Sequence, residues 1–399
     1  MGYIEAGTAV VYGKIVEGLR VPFKRDLYVE TLIIPGFSDA HAHPQVVDAG
    51  IDNRVWRDSY EWIENRTLRV DEASIRSDLG LSARLARLLY KRMLLSGVTL
   101  VAVTGRLEAN VEAWLSMNVR PRVVFLPTAM KRRGWKSVDE LIYSIDALKR
   151  SLRDVLARLG IFVHSLRLAG AEELAKAALY AVETGGLVGV HLDEGVNETE
   201  QLRPYLGELL GRARIVAVHC IDTQDPSKYG LLCAACPASN LVLYRRTRKT
   251  LRGITSFGSD WPHLLGAVTD HLPLLNKLYP GFREEILRRA TIGGYRDYGM
   301  MHAGDMVGYE VPLDKLLERR VEPLFVSVSW RIAVWEGILL ETSETLHDIE
   351  KETRELIREA IELYPSNEAP GGDPLEEARR ALDSVMVELE KYRVAETTG

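Results

Sequence analysis

Eight short apolar or β-branched runs, separated by longer segments of helical period, constrain this chain more than any other feature. They are 32–37 (LIIPGF), 98–103 (VTLVAV), 121–126 (PRVVFL), 160–165 (GIFVHS), 187–191 (LVGVH), 214–219 (RIVAVH), 231–236 (LLCAAC) and 253–259 (GITSFGS). Continuous apolar runs suit strands covered on both faces, and helices between strands imply parallel pairing. The intervening segments 74–95 and 171–183 carry apolar residues every three or four positions. The repetition predicts an α/β chain built as a (β/α)8 TIM barrel over residues 35–303 rather than as an open sheet.

Residues 1–34 and 304–340 fall outside that alternation. Both read as short strands, with period-two patterning in LFVSVSW (324–330). Neither could bury a core alone, so the expectation is one small β-sandwich domain composed from both ends. Beyond it, Leu346, Ile349, Thr353, Leu356, Ala360 and Leu363 step by three and four, as do Leu375, Ala378, Leu382, Val385, Leu389 and Tyr392. The breaker-rich stretch 364–374 separates them, which predicts a C-terminal α-hairpin within 341–399. That segment holds 16 acidic against 7 basic side chains, whereas the whole chain carries only −5. The hairpin could dock on the barrel or on a sister subunit, the latter making a homo-oligomer through the C-terminal helices.

Composition narrows the function classes. The near-neutral charge argues against a nucleic-acid surface, and no apolar run approaches the ~20 residues that a bilayer crossing needs. Three cysteines in 399 residues cannot form a disulfide framework, and MGYIEAGTAVVYGK does not read as a signal peptide. A cytoplasmic protein acting on a small-molecule substrate is expected.

Barrel enzymes place their chemistry where the strands end. The first run leads to His41 and His43, two apart and able to face one ion from an extended chain. The fifth ends at His191 with Glu194 three residues later, the sixth at His219 and the eighth at Asp260. Any one strand-end histidine could be structural. Four of nine histidines at the ends of three predicted strands argue instead for a metal site, and such a donor set suits zinc or ferrous iron. The single CxxC of Cys233 and Cys236 lies in or beside a predicted buried strand and reads as packing.

PGFSDAHAHP (35–44) resembles the first-strand motif of the amidohydrolase superfamily. HLDE (191–194) resembles the HxxE signature of its deaminase and chlorohydrolase branch, which includes cytosine, guanine and adenosylhomocysteine deaminases. CPASNL (236–241) and GSD (258–260) are similar to that branch's seventh and eighth strand segments, and the likeness spans roughly residues 1–340. The resemblance implies one divalent metal ion on His41, His43, His191 and Asp260, most simply zinc with iron as the alternative. It also implies Glu194 as proton shuttle, His219 as the contact to the activated water, and Asp260 as an additional proton acceptor. Gln45, His164 and Trp261 are the candidate substrate contacts. Binuclear members of the superfamily bridge their ions with a lysine ending strand four. The fourth run offers none, although Lys131 would qualify if the strand count were off by one. The expected reaction is hydrolytic deamination of an amino-substituted purine, pyrimidine or related N-heterocycle. The alternatives are hydrolysis of a cyclic amide, imidazolone or halogenated ring on the same scaffold, or a non-catalytic metal-binding module.

Overall fold

The computed structural model describes the chain apart from residues 153, 224, 303, 319–322, 332–333, 341, 367–369 and 398–399. Eight parallel strands close into a barrel. In order they are Phe37–Ala42, Val98–Val103, the broken pair Arg122–Phe125 and Thr128–Ala129, the broken pair Ala157–Leu159 and Ile161–Val163, Val188–Leu192, Ile215–His219, Leu232–Ala235 and Ser256–Phe257. Each hydrogen-bonds to the next in parallel register. A bridge between Ala42 and Asp260 closes the ring, with His43 N donating to Asp260 O at 2.8 Å and Asp260 N to His41 O at 2.9 Å.

The strands are apolar on both faces because both are covered. Side chains such as Leu100, Ala102, Val124, Phe162, Val216 and Ala234 form one buried cluster. Val101, Val103, Val123 and Val190 join a second one shared with helices such as Leu79–Leu95 and Ala171–Thr184. Helix starts are fixed by local chemistry: Asp78 accepts from Leu81 N, and Ser137 forms a reciprocal capping box with Glu140.

The expected first run divides in two. Residues 32–34 finish a strand of the small domain, Leu27–Ile34, and the barrel strand begins only at Phe37 after the turn at Pro35 and Gly36. The apolar patterning runs on through that turn, so hydrophobicity alone cannot separate the two strands. The small domain is a six-stranded mixed sheet in which Gly2–Val11, Lys14–Phe23 and Leu27–Ile34 adjoin Met306–Tyr309, Pro323–Arg331 and Val334–Leu339. The side chains behind the alternation in 324–330 lie outside the described residues.

The C-terminal hairpin, Leu346–Leu363 and Pro374–Thr397, lies on the barrel's own helices. Leu346, Ile349, Thr353, Leu356 and Ala360 are buried as their spacing requires, but Leu363 is 54% exposed because it is the last residue before the chain turns away. On the second helix Ala378 and Val385 are buried, and the side chain of Tyr392 lies outside the described residues. Opposite charges register the docking. Glu344 pairs with Lys91 at 2.6 Å, Glu359 with Arg84 at 2.5 Å, and Glu377 with the buried Arg69 at 2.6 Å. Pro365 bridges to Val70, and Ser366 N donates to Arg69 O, so the hairpin's connection sews down the excursion that follows strand one. Among the described residues no helix is long and apolar enough to cross a membrane.

Candidate metal centre

The C-terminal ends of strands one, five, six and eight bring His41, His43, His191, His219 and Asp260 to one place. His41 Nε2 lies 2.9 Å from His43 Nε2 and 3.1 Å from His191 Nε2. Asp260 Oδ1 stands 3.3 Å from His43 Nε2 and 3.6 Å from His41 Nε2. Two ligands held ~2.1 Å from one ion are separated by such distances at ligand–metal–ligand angles of about 90–120°. Three imidazole nitrogens this close cannot all be satisfied by protons shared among themselves, so a cation at their centre is what the arrangement fits. Among the described residues this is the one cluster of three or more metal-ligating side chains.

Burial sets the protonation that such a site needs. His41 is stacked on Phe162 at 5.1 Å, and Phe162 meets His191 edge-on at 4.7 Å. Desolvation lowers the pKa of His41 and, with the neighbouring imidazoles, pulls those of His43 and His191 well below the usual value. The shift favours the neutral imidazole, the form able to donate a lone pair. His43 Nδ1 lies 2.8 Å from Thr104 Oγ1, whose proton goes to Ala42 O, so Nδ1 donates and Nε2 is left for the ion. Burial works to raise the Asp260 carboxyl. The neighbouring His41, His219 and His43 outweigh it and hold Asp260 well below the carboxylate range.

Glu194 and His219 form the other half of the site. Glu194 is buried, accepts a 2.7 Å hydrogen bond from the Tyr244 hydroxyl and lies 3.6 Å from His219 Nε2. Desolvation pushes its pKa up, against the pull of His219 and Tyr244. His219 Nδ1 donates to Asn240 Oδ1 at 2.8 Å, which turns Nε2 toward the cleft. Four of the six non-glycine residues with left-handed φ among those described, Asp193, His219, Cys220 and Asp260, cluster at these strand ends. Backbone strain of this kind persists where surrounding structure enforces it.

A cleft of about 820 Å³ opens above the histidines. Gln45, His164 and Trp261 all line it. The Gln45 amide is already engaged, donating to Asn110 Oδ1 at 2.8 Å. His164 meets His191 edge-on at 4.8 Å, and its pKa is lowered to about 3 by burial and by the charges of Arg66, Arg132 and Arg76. Trp261 is buried beside Trp62, ring centroids 5.4 Å apart. Pro365 and Ser366 of the hairpin connection also line the cleft. Strand four ends at Val163, so the residue at its mouth is His164 and not a lysine. Lys131 follows strand three, and its Nζ is 2.9 Å from where a Cβ on Gly170 would stand. Cys233 and Cys236 are buried free thiols.

Sequence reasoning did not single out Thr104, Asp39, Asn240 or Tyr244. Thr104 directly follows the second run, where the rule that found His191 would also have found it. Asp39, two residues before His41, accepts from Ser259 N at 2.9 Å and ties strand one to strand eight. Asn240 lies within the CPASNL motif and Tyr244 just beyond it, on the helix Pro237–Tyr244, four apart and so on one face.

Neither protein-family models nor curated protein sequences give a match to this chain. Solved structures do. A zinc-bound adenosine deaminase from Xanthomonas campestris superposes with a TM-score of 0.71 at 16% identity, over 91% of this chain and 98% of that one. The zinc complex of the atrazine chlorohydrolase TrzN from Arthrobacter aurescens TC1 gives 0.67 at 15%, over 90% and 100%. Guanine deaminase from E. coli gives 0.61 at 17%, over 79% and 91%. At these identities the likeness establishes the fold, which is the one shared by amidohydrolase-superfamily deaminases and chlorohydrolases.

Proposed function

We propose that this chain is a metal-dependent hydrolase that removes an exocyclic amino group from a small N-heterocycle and releases ammonia. The observation that carries the reading is the convergence of the His41, His43 and His191 Nε2 atoms beside Asp260, with the buried Glu194 carboxyl facing the same cleft. Three imidazoles and a carboxylate would hold one divalent ion, zinc first and ferrous iron second. Bound there, such an ion supplies Lewis acidity and lowers the pKa of water to about 7.

The remaining chemistry belongs to the chain's own side chains. Glu194, its pKa raised by burial, is suited to take one proton from the attacking water and deliver it to a ring nitrogen, and to pass the second, from the hydroxyl of the addition product, to the departing amine. An amine leaves poorly until it is protonated, which is why the carboxyl must serve as base and then as acid. His219, its Nδ1 held by Asn240, turns Nε2 toward the attacking water, from which it can accept a hydrogen bond, and when protonated steadies the tetrahedral addition product. Asp260, kept ionised, is the second proton acceptor. The absence of a lysine at the mouth of strand four favours a single ion.

The deaminases among the similar structures support loss of ammonia, and the chlorohydrolase marks halide loss as the reading to test against it. Glu194→Gln should abolish ammonia release from amino-heterocycles while the metal stays bound. Full activity in that variant would overturn the assignment, and halide or a ring-opened acid as the product would replace deamination with the corresponding hydrolysis.

A further inference from the structure

The cleft is larger than a single heterocyclic ring requires, and its two ends differ in charge. The inner end holds the histidines, Glu194 and Asp260, whereas the outer wall carries Arg66, Arg76, Arg132 and Arg133. A volume of about 820 Å³ is that of a site for a substituted ligand rather than a bare base.

The acidic groups along the outer wall are already committed. Glu72 pairs with Arg66 at 2.7 Å. Asp71 caps the helix Glu72–Ser77, accepting from Ala73 N at 3.0 Å and Ser74 Oγ at 2.6 Å. Arg76, Arg132 and Arg133 form no ion pair with any described residue. Arg76 is the telling one. Its guanidinium lies 4.1 Å over the Trp135 ring, and its Nε is buried with no partner among the described residues. A largely desolvated cation with no acidic group in contact is costly unless a ligand supplies one. Burial pulls its pKa below the usual guanidinium value even though Glu72 and Asp71 act against that shift from a distance.

The position matches a substrate reaching inward to the metal centre. Arg76 comes from the excursion after strand one that the hairpin connection sews down, and Arg132 and Arg133 come from the loop after strand three. The Trp135 ring backs the Arg76 guanidinium, whose planar fork is suited to recognising an oxyanion through two parallel hydrogen bonds.

We infer that Arg76, with Arg132 and Arg133, forms an anion subsite that selects heterocycles bearing a phosphate or carboxylate substituent. The inference rests on the reading that this same cleft holds the amino-heterocycle.

The test uses the full-length, zinc-loaded protein and three ligands in each base series: the nucleoside, its 5′-monophosphate and its 5′-carboxylate. Binding is read by tryptophan fluorescence and turnover by ammonia release. At least one anionic ligand should bind about 10-fold or more tightly than its neutral parent, as expected for charge-assisted hydrogen bonds. Arg76→Gln should erase that preference and Arg132→Gln reduce it. Arg132 is exposed, so its variant does not depend on core packing. A response confined to the phosphate or to the carboxylate identifies the source of the anion. Equal or weaker binding of every anionic ligand overturns the subsite. So does a preference that survives both substitutions, since the anion would then be held by the metal alone. Anion selectivity without ammonia release upholds the subsite and rejects deamination, whereas ammonia from the neutral parents alone does the reverse.

Discussion

The Tyr244 hydroxyl donates a 2.7 Å hydrogen bond to Glu194 Oε1, joining the helix after strand seven to the carboxyl beyond strand five. The bond stabilises the ionised carboxylate, while burial disfavours it, so the proton affinity of Glu194 is a balance between the two.

His219 also favours the ionised form, and Tyr244→Phe removes one of these two stabilising contacts. The Glu194 pKa should rise further, and the acid limb of the kcat/KM profile should move to higher pH, because the ionised form is the one that takes the first proton. Turnover at neutral pH should fall by about 10-fold, less than the ~10²–10⁴ an acid–base group contributes, because Glu194 itself is still in place. A pH–rate profile superimposable on the wild type would separate Tyr244 from the function of Glu194.

The hairpin should be integral to the cleft rather than an appendage. Arg69, 4% exposed in its side chain, pairs with the buried Asp48 at 3.2 Å and with Glu377 at 2.6 Å. Arg69→Ala leaves Asp48 without its partner in the interior, a change that costs about 3–5 kcal/mol. Thermal denaturation should show a clearly lowered Tm, with substrate binding weakened as Val70 and Ser366 lose their anchorage. An unchanged Tm would mean that the docking of the acidic helices does not depend on this contact.

Stability at the opposite end of the barrel should depend on Asp297. Burial raises its pKa from 3.8 to about 6, against hydrogen bonds from Ser256 at 2.5 Å and Thr255 at 2.7 Å. The folded state therefore holds this proton more tightly than the unfolded chain. The resulting stability is fully present below pH 3.8 and is lost as pH rises through about 6. Asp297→Asn abolishes that dependence. Denaturant titrations should show the variant gaining on the wild type between pH 4 and 7, by at most about 3 kcal/mol. A difference that is constant with pH would contradict the raised pKa.

The clustering of the candidate ligands was legible because strand ends are visible in the sequence. His41, His43, His191, His219 and Asp260 each stand at or just beyond an apolar run, and the barrel turns every such position toward one mouth. Asn240 and Tyr244 were hidden because they act from a helix, where spacing indicates a shared face but not what that face meets. Arg76 lies on the short helix Glu72–Ser77 and Trp135 in the loop after strand three, and only the folded chain brings them together. The hairpin's stripes were legible, but the surface receiving them was not, since an apolar face does not specify its partner.

The central claim is that His41, His43 and His191 together hold one catalytic ion. Elemental analysis of the purified protein, beside His191→Ala, tests it most directly. The account predicts about one zinc or iron per chain in the wild type, lost in the variant along with ammonia release. Two ions per chain, or full retention of the metal by His191→Ala, would contradict it.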